Sequence, residues 1–399
     1  MAKDGETPLQ LVVHRTHGDP ASPVSSLAHD LEDQASPPAG LGLCLSGGGY
    51  RAMLFHVGCL WRLNELGYLP RLSRVSSVSG GSIAAGRLGL VWSKLDFDTT
   101  TGVGRAFEAQ VARPLRELAG HTIDLTSIVL GAALPKITAA DLIERAYKKY
   151  LFGDATVADL PSRPDTPCFV INAASVQTGA LFRFTQAYVA DWRIGLNRHA
   201  PRAIPLARAV AASAAFPPLL SPVVLELDAG DFESSAGADL PREPLRRRAV
   251  LTDGGNYDNL GLETAYKRCQ TILVSDAVGG IPVDDTPHGD WIRHGIRAIE
   301  LLLNQSVSVR KRQLIAAFKA KQRSGAYWSI RSELTNYGVA DALPFDRALA
   351  GKLAALPTRL EALGEEDANG LINWGYVIAD AALRTHVEPG APRPTKAPC

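Results

Sequence analysis

The feature that most constrains this chain is an abrupt change of period. Leu41 to Leu45 is short, apolar and ended by glycines, which predicts a buried strand. From Ala52 to Leu66 the residues Leu54, Val57, Leu60, Trp61 and Leu66 recur at helical spacing. Gly47-Gly48-Gly49 therefore lies between a strand and a helix N-terminus. Glycine lets the backbone take a positive φ and approach a ligand closely. Unpaired N–H groups and the positive end of the helix dipole favour an anion there. That anion can be a tetrahedral oxyanion, with donors worth roughly 3–4 kcal/mol each. A phosphate-binding turn or a purely structural turn fits the same loop, and Arg51 either adds charge or fixes it.

A second unit follows. Val75 to Val78 reads as a strand end, and Ser82 to Trp92 as a helix opening on the small residues Ala84, Ala85 and Gly86. Between them, Ser77-Val78-Ser79-Gly80-Gly81 approximates the Gly-x-Ser-x-Gly elbow that exposes a nucleophilic serine. The first glycine has become Ser77, which is still small. Four serines compete for the nucleophile's place. Ser76 and Ser77 have Arg74 and Val75 two residues back, which crowd a turn. Ser82 falls past the turn, where a helix cap is expected. Ser79 has small residues on both sides and a glycine next to it, whose N–H can face a substrate.

Further along, Ala249 to Thr252 is a short apolar strand broken by Asp253-Gly254-Gly255. A carboxylate on such a turn can act as general base on a serine within reach. A local Asx-turn is the alternative. Asp258 and Asn259 are expected to be turn or cap residues of the next helix.

These blocks resemble the patatin-like phospholipase family. Ser46 to Arg51 matches its glycine-rich motif, Ser77 to Gly81 its serine elbow, and Asp253-Gly254-Gly255 its Asp-Gly-Gly. Ala211 to Pro218, and Asn172 to Gly179, match two more blocks, and the order runs correctly over roughly residues 40 to 280. Two positions depart from the pattern: Ser46 replaces a common Asp and Ser77 the elbow glycine. The resemblance implies a Ser79–Asp253 dyad and an oxyanion hole from Gly47, Gly48 and Gly49. Arg51, Gly80, Gly81, Gly254 and Gly255 are the supporting residues. It implies a three-layer α/β/α fold with a mostly parallel central sheet, hydrolysis of phospholipid or lysophospholipid esters, and no cofactor or metal.

Composition sets the outer limits. The 399 residues, 46% hydrophobic and 21% charged, fit an ordinary globular chain. A net charge of +1 gives no general pull toward nucleic acid. The five cysteines lack a C-x-x-C spacing, so neither zinc nor a disulfide framework is expected. The N-terminus has no secretory h-region and no apolar stretch reaches a membrane span. The expected location is cytoplasmic, peripheral at membranes. The predicted organisation is an arm over 1–39, a catalytic domain over 40–285, a helical extension over 286–386 packed on it, and a disordered tail over 387–399. Leu9 to Val13 can pair onto the core, and Ile128 to Leu134 reads as core or lid. The basic helix around Arg310 to Arg323 is either a solvated face or a surface for anionic lipid.

Two rival functions remain. A Ser-His-Asp esterase would use His288, which follows the aspartate in chain order, as the best candidate. His56 is expected to be a packed helix residue rather than a base. A catalytically silent lipid- or anion-binding module would use only the glycine loop.

Overall fold

The computed structural model describes residues 39–123, 138–161, 166–218, 220–233, 238–281 and 283–399. Leu9 to Val13, Ile128 to Leu134 and the 1–38 part of the arm lie outside them. Eleven strands form one mixed sheet. The parallel part has the order β11 (Ser324–Ser329), β10 (Thr271–Asp276), β1 (Leu41–Leu45), β2 (Arg74–Val78), β3 (Cys168–Ser175). Beyond β3 the sheet continues antiparallel through β4 (Leu181–Phe184), β5 (Val189–Asp191), β6 (Gly195–Asn197) and β8 (Phe232–Glu233). A side branch carries β7 (Val223–Glu226) and β9 (Arg248–Asp253), with β9 paired to β3.

The central strands are apolar because helices cover both faces of a parallel sheet. Leu43, Cys44 and Leu45 of β1 and Ile272, Leu273 and Val274 of β10 are fully buried. Each large side chain of this kind contributes roughly 1.5–3 kcal/mol on leaving water. The Gly49–Glu65 helix lies in the core, with fifteen of its seventeen residues buried. Its one histidine, His56, bonds Ser275 Oγ at 2.8 Å and Ser46 O at 2.9 Å. That ties the helix to β10 and the loop after β1.

The region after 285 departs from a purely helical extension. β11 adds to the parallel edge of the central sheet, paired with β10 from Thr271↔Ser324 to Asp276↔Ser329. The Glu365–His386 helix crosses the Gly49–Glu65 helix at glycine on both sides. A Cβ on Gly58 would run into the Ile372 carbonyl, and one on Gly375 into the Phe55 carbonyl. A buried ion pair, Arg62 Nη2 to Asp380 Oδ1 at 2.8 Å, locks the crossing. The tail over 387–399 is not loose as expected. Arg62 donates to the Pro392 carbonyl, and Asn373 bonds both the N–H (2.9 Å) and the carbonyl (2.8 Å) of Cys399. Its backbone groups find partners on two core helices, which proline content alone does not reveal.

Candidate active site

The register on β3 explains how two distant turns meet. β2 ends with Val78 opposite Asn172, and β9 ends with Asp253 opposite Ala173. β4 occupies the other edge of β3 at these residues. The parallel β2 and the antiparallel β9 therefore abut end to end along one edge. Each chain must turn off the sheet where it meets the other. Those turns are Ser79 and Asp253-Gly254-Gly255.

Ser79 has φ 51° and ψ −119°, a left-handed backbone for a residue with a side chain. It stands at the N-cap of the Gly80–Leu90 helix and is 7% exposed. The strain is held by Ser213, whose Oγ accepts from the Ser79 N–H at 2.9 Å and donates to the Asn172 carbonyl at 2.6 Å. The Ser213 carbonyl in turn accepts from Gly254 N–H at 3.2 Å. One residue thus clamps both turns. Ser82 lies inside the helix rather than capping it, its hydroxyl bonded to Ser77 Oγ at 3.0 Å and Ser213 Oγ at 2.9 Å. Ser77 is fully buried and donates to the Val170 carbonyl at 3.2 Å, so it points into the sheet and leaves the turn open.

The Asp253 carboxylate accepts from Gly255 N–H at 2.7 Å and lines the same cavity as Ser79. Burial raises its pKa from 3.8 to about 7, and the Gly255 N–H and the nearby Ser79 side chain oppose the rise. The carboxyl is therefore poised near neutrality, where a general base works best. A Cβ on Gly254 would strike the Asn172 carbonyl, which is why the aspartate turn needs glycine.

The glycine loop faces these two residues. Gly48 has φ 138°, open only to glycine, and caps the Gly49–Glu65 helix. A Cβ on Gly80 would meet the Gly49 backbone, and one on Gly81 the Leu45 carbonyl, so the two turns touch through bare backbone. The three loop glycines differ in one respect. Gly47 N–H is spent on the Asn259 carbonyl at 3.1 Å. Among the described residues, the Gly48 and Gly49 N–H groups have no such acceptor and are left available as donors.

Ser79, Asp253, Gly47, Gly48, Arg51 and Gly255 line one cavity of about 450 Å³. Phe216, Leu303 and Leu356 supply apolar wall. Arg51 is buried and braces the rim. It donates to the Ala277 carbonyl at 3.3 Å, the Leu356 carbonyl, and Thr358 Oγ1 at 2.9 Å. Burial lowers its pKa to about 10 against the pull of Asp276, so it stays cationic at neutral pH. Tyr50 N–H donates to the Arg359 carbonyl at 2.9 Å, fastening 354–359 over the loop.

Among the described residues, no histidine lines this cavity. His56 sits deeper, with both ring nitrogens engaged, and burial lowers its pKa to about 4. His288 is exposed and contacts Arg293. Three contributors escaped sequence reading. Ser213 lies within Ala211 to Pro218, a block matched without a role. Asn259 was expected to be a turn residue. The 354–359 segment carries no motif at all.

A family model for patatin-like phospholipase matches residues 43–266, more than half of the chain. The chain belongs to the patatin-like phospholipase family. Among curated proteins none matches it. Similar solved structures include human GIVD cytosolic phospholipase A2, at 14% identity and a TM-score of 0.48, covering 87% of this chain and 61% of that one. The same human protein in complex with methyl gamma-linolenyl fluorophosphonate and terbium chloride gives 15% and 0.48, covering 86% and 57%. VipD from Legionella pneumophila gives 16% and 0.35, covering 88% and 68%. The chain thus spans about three fifths of the human protein's length.

Proposed function

We propose that this patatin-like chain is a serine acyl hydrolase cleaving fatty-acyl esters of phospholipids or lysophospholipids through a Ser79–Asp253 dyad. The observation that carries the reading is that a serine on a strained turn and a buried carboxylate line one cavity with the glycine loop. Asp253 takes the hydroxyl proton as Ser79 Oγ attacks the ester carbonyl carbon. Negative charge gathers on the carbonyl oxygen, where the Gly48 and Gly49 N–H groups and the helix dipole receive it. The tetrahedral intermediate collapses, the C–O bond breaks, and the departing alcohol takes the proton from Asp253. Water then attacks the acyl-serine with Asp253 again as base, releasing the fatty acid and restoring Ser79. Lipid as substrate follows from the family, and the apolar wall of Phe216, Leu303 and Leu356 suits an acyl chain.

The test is fluorophosphonate labelling of wild type, Ser79→Ala, Asp253→Asn and His288→Ala, with hydrolysis of a short-chain ester in parallel. Labelling and turnover should vanish in the first two variants and persist in His288→Ala. Loss of turnover on replacing His288 would favour the triad. An unlabelled, inactive wild type would favour a binding module.

A further inference from the structure

The long Trp291–Lys319 helix has two opposite faces with different partners. Its inner face packs on the domain through Val307, Leu314 and Ala317, and its Glu300, Leu303 and Asn304 line the Ser79 cavity. Its outer face is an unbroken exposed stripe: Trp291, Ala298, Leu302, Gln305, Val309, Arg312, Ala316 and Lys319. The successive spacings of seven, four and three residues keep it on one side of the helix.

That stripe is unusually apolar for a surface. Trp291 is 83% exposed, Leu302 71% and Val309 53%, with Ile292 at 54% and Leu301 at 51% beside them. Only Val176 and Val283 complete the set of exposed large hydrophobics among the described residues. Three of these side chains lie on the stripe and the other two flank it on either side, which makes this face more apolar than scattered surface residues would. The charge on the helix is one-sided as well. Arg293, Arg297, Arg310, Lys311, Arg312 and Lys319 stand against Glu300 alone. Arg310 is drawn inward to Asp258 and Glu263, whereas Arg312 and Lys319 form no ion pair among the described residues.

We infer that this face docks on an anionic lipid bilayer, with Trp291, Leu302 and Val309 in the headgroup–acyl boundary and Arg312 and Lys319 on the lipid phosphates. An amphipathic helix lying in the interface uses this combination of apolar residues, an interfacial tryptophan and flanking cations. The basic 310–323 stretch predicted from sequence is therefore only the anchoring end. The apolar half is Trp291 to Val309. Because the opposite face of the same helix walls the cavity, docking would hold the Ser79 cavity about one helix diameter, roughly 10 Å, from the lipid surface. This last point rests on the hydrolase reading, whereas the docking itself does not.

The experiment separates the two. Ser79→Ala, and the same chain carrying Trp291→Glu and Leu302→Glu, are sedimented with vesicles of three parts phosphatidylcholine to one part phosphatidylglycerol, and with phosphatidylcholine alone. The Ser79→Ala chain should bind the anionic vesicles, with binding weakened by salt. The two glutamates should reduce binding on the order of tenfold or more. With Ser79 restored, they should leave soluble short-chain ester turnover within about twofold while vesicle hydrolysis falls with binding. Equal binding by the glutamate variant, or equal binding to neutral vesicles, overturns the inference. So does a dimer by light scattering that the glutamates convert to monomer, since a second copy would then cover the face. If vesicles bind as expected but no ester is hydrolysed, docking stands and the hydrolase reading falls.

Discussion

Replacing Asp253 by asparagine should stabilise the protein while stopping turnover. The carboxyl ionises at about 7 in the folded chain against an ordinary 3.8, because burial disfavours its charge. The native state therefore holds this proton more tightly than the unfolded state. Its contribution to stability is full below about pH 4, declines as pH rises through the interval, and is constant again above about pH 7. The shift is about three units, and at 1.36 kcal/mol per unit the penalty at pH 8 is about 4 kcal/mol. Asparagine keeps the shape, accepts from Gly255 N–H and donates to Ser79 Oγ, but carries no charge to desolvate. Urea unfolding of both chains from pH 5 to 8, at a common slope, reads the difference directly. The gap should be about 2 kcal/mol at pH 5, grow steadily, and approach about 4 kcal/mol at pH 8. A gap that is flat with pH, or an asparagine variant less stable than wild type at pH 8, would refute the claim that this carboxylate is held at an energetic cost. The same value sets catalysis: kcat/KM for a short-chain ester should fall on the acid side with a midpoint near pH 7.

Two further outcomes follow from the packing. Ser213→Ala leaves the buried Ser79 N–H without its acceptor, so stability should drop by about 1–3 kcal/mol. The kcat for a short-chain ester should fall with little change in KM, and an unchanged kcat would remove Ser213 from the elbow's support. Gly58→Ala drives a methyl into the Ile372 carbonyl across a crossing where both backbones are fixed, costing about 3 kcal/mol in chemical denaturation. A neutral result would mean that the two helices can separate freely.

The strands that read clearly in the sequence are those buried on both faces. β1 coincides with the predicted Leu41 to Leu45, and β2 and β9 extend only one residue past their predicted ends. Their apolar runs need no tertiary context to stand out. β11 was not legible, because Ser324 to Ser329 has no continuous apolar run and becomes a strand by docking on β10. The serine, the aspartate and the glycine loop were found because tight turns demand glycine and small residues at fixed spacing. Ser213 and Asn259 were missed for the opposite reason. Their work depends on which backbone groups the fold brings near them, and a lone serine or asparagine advertises none of that. The basic helix shows a third case: its charges were visible in the sequence, but which face would turn inward depended on tertiary partners, such as Asp258 and Glu263 for Arg310.

The bonds that fasten the roof of the cavity have a bearing on how such chains diverge. Arg51 and Tyr50 hold 277 and 356–359 mainly through carbonyl oxygens, those of Ala277, Leu356 and Arg359; Thr358 Oγ1 alone is a side-chain acceptor. A carbonyl is present whatever residue occupies the position. Selection can therefore rewrite the side chains at the entrance without loosening its attachment. The proposed dyad, Ser79 and Asp253, lies within the family's span of 43–266, whereas Leu303 and the 354–359 wall lie after it. Apart from Phe216, the wall therefore comes largely from a different length of chain than Ser79 and Asp253, so it can change in sequence without altering either.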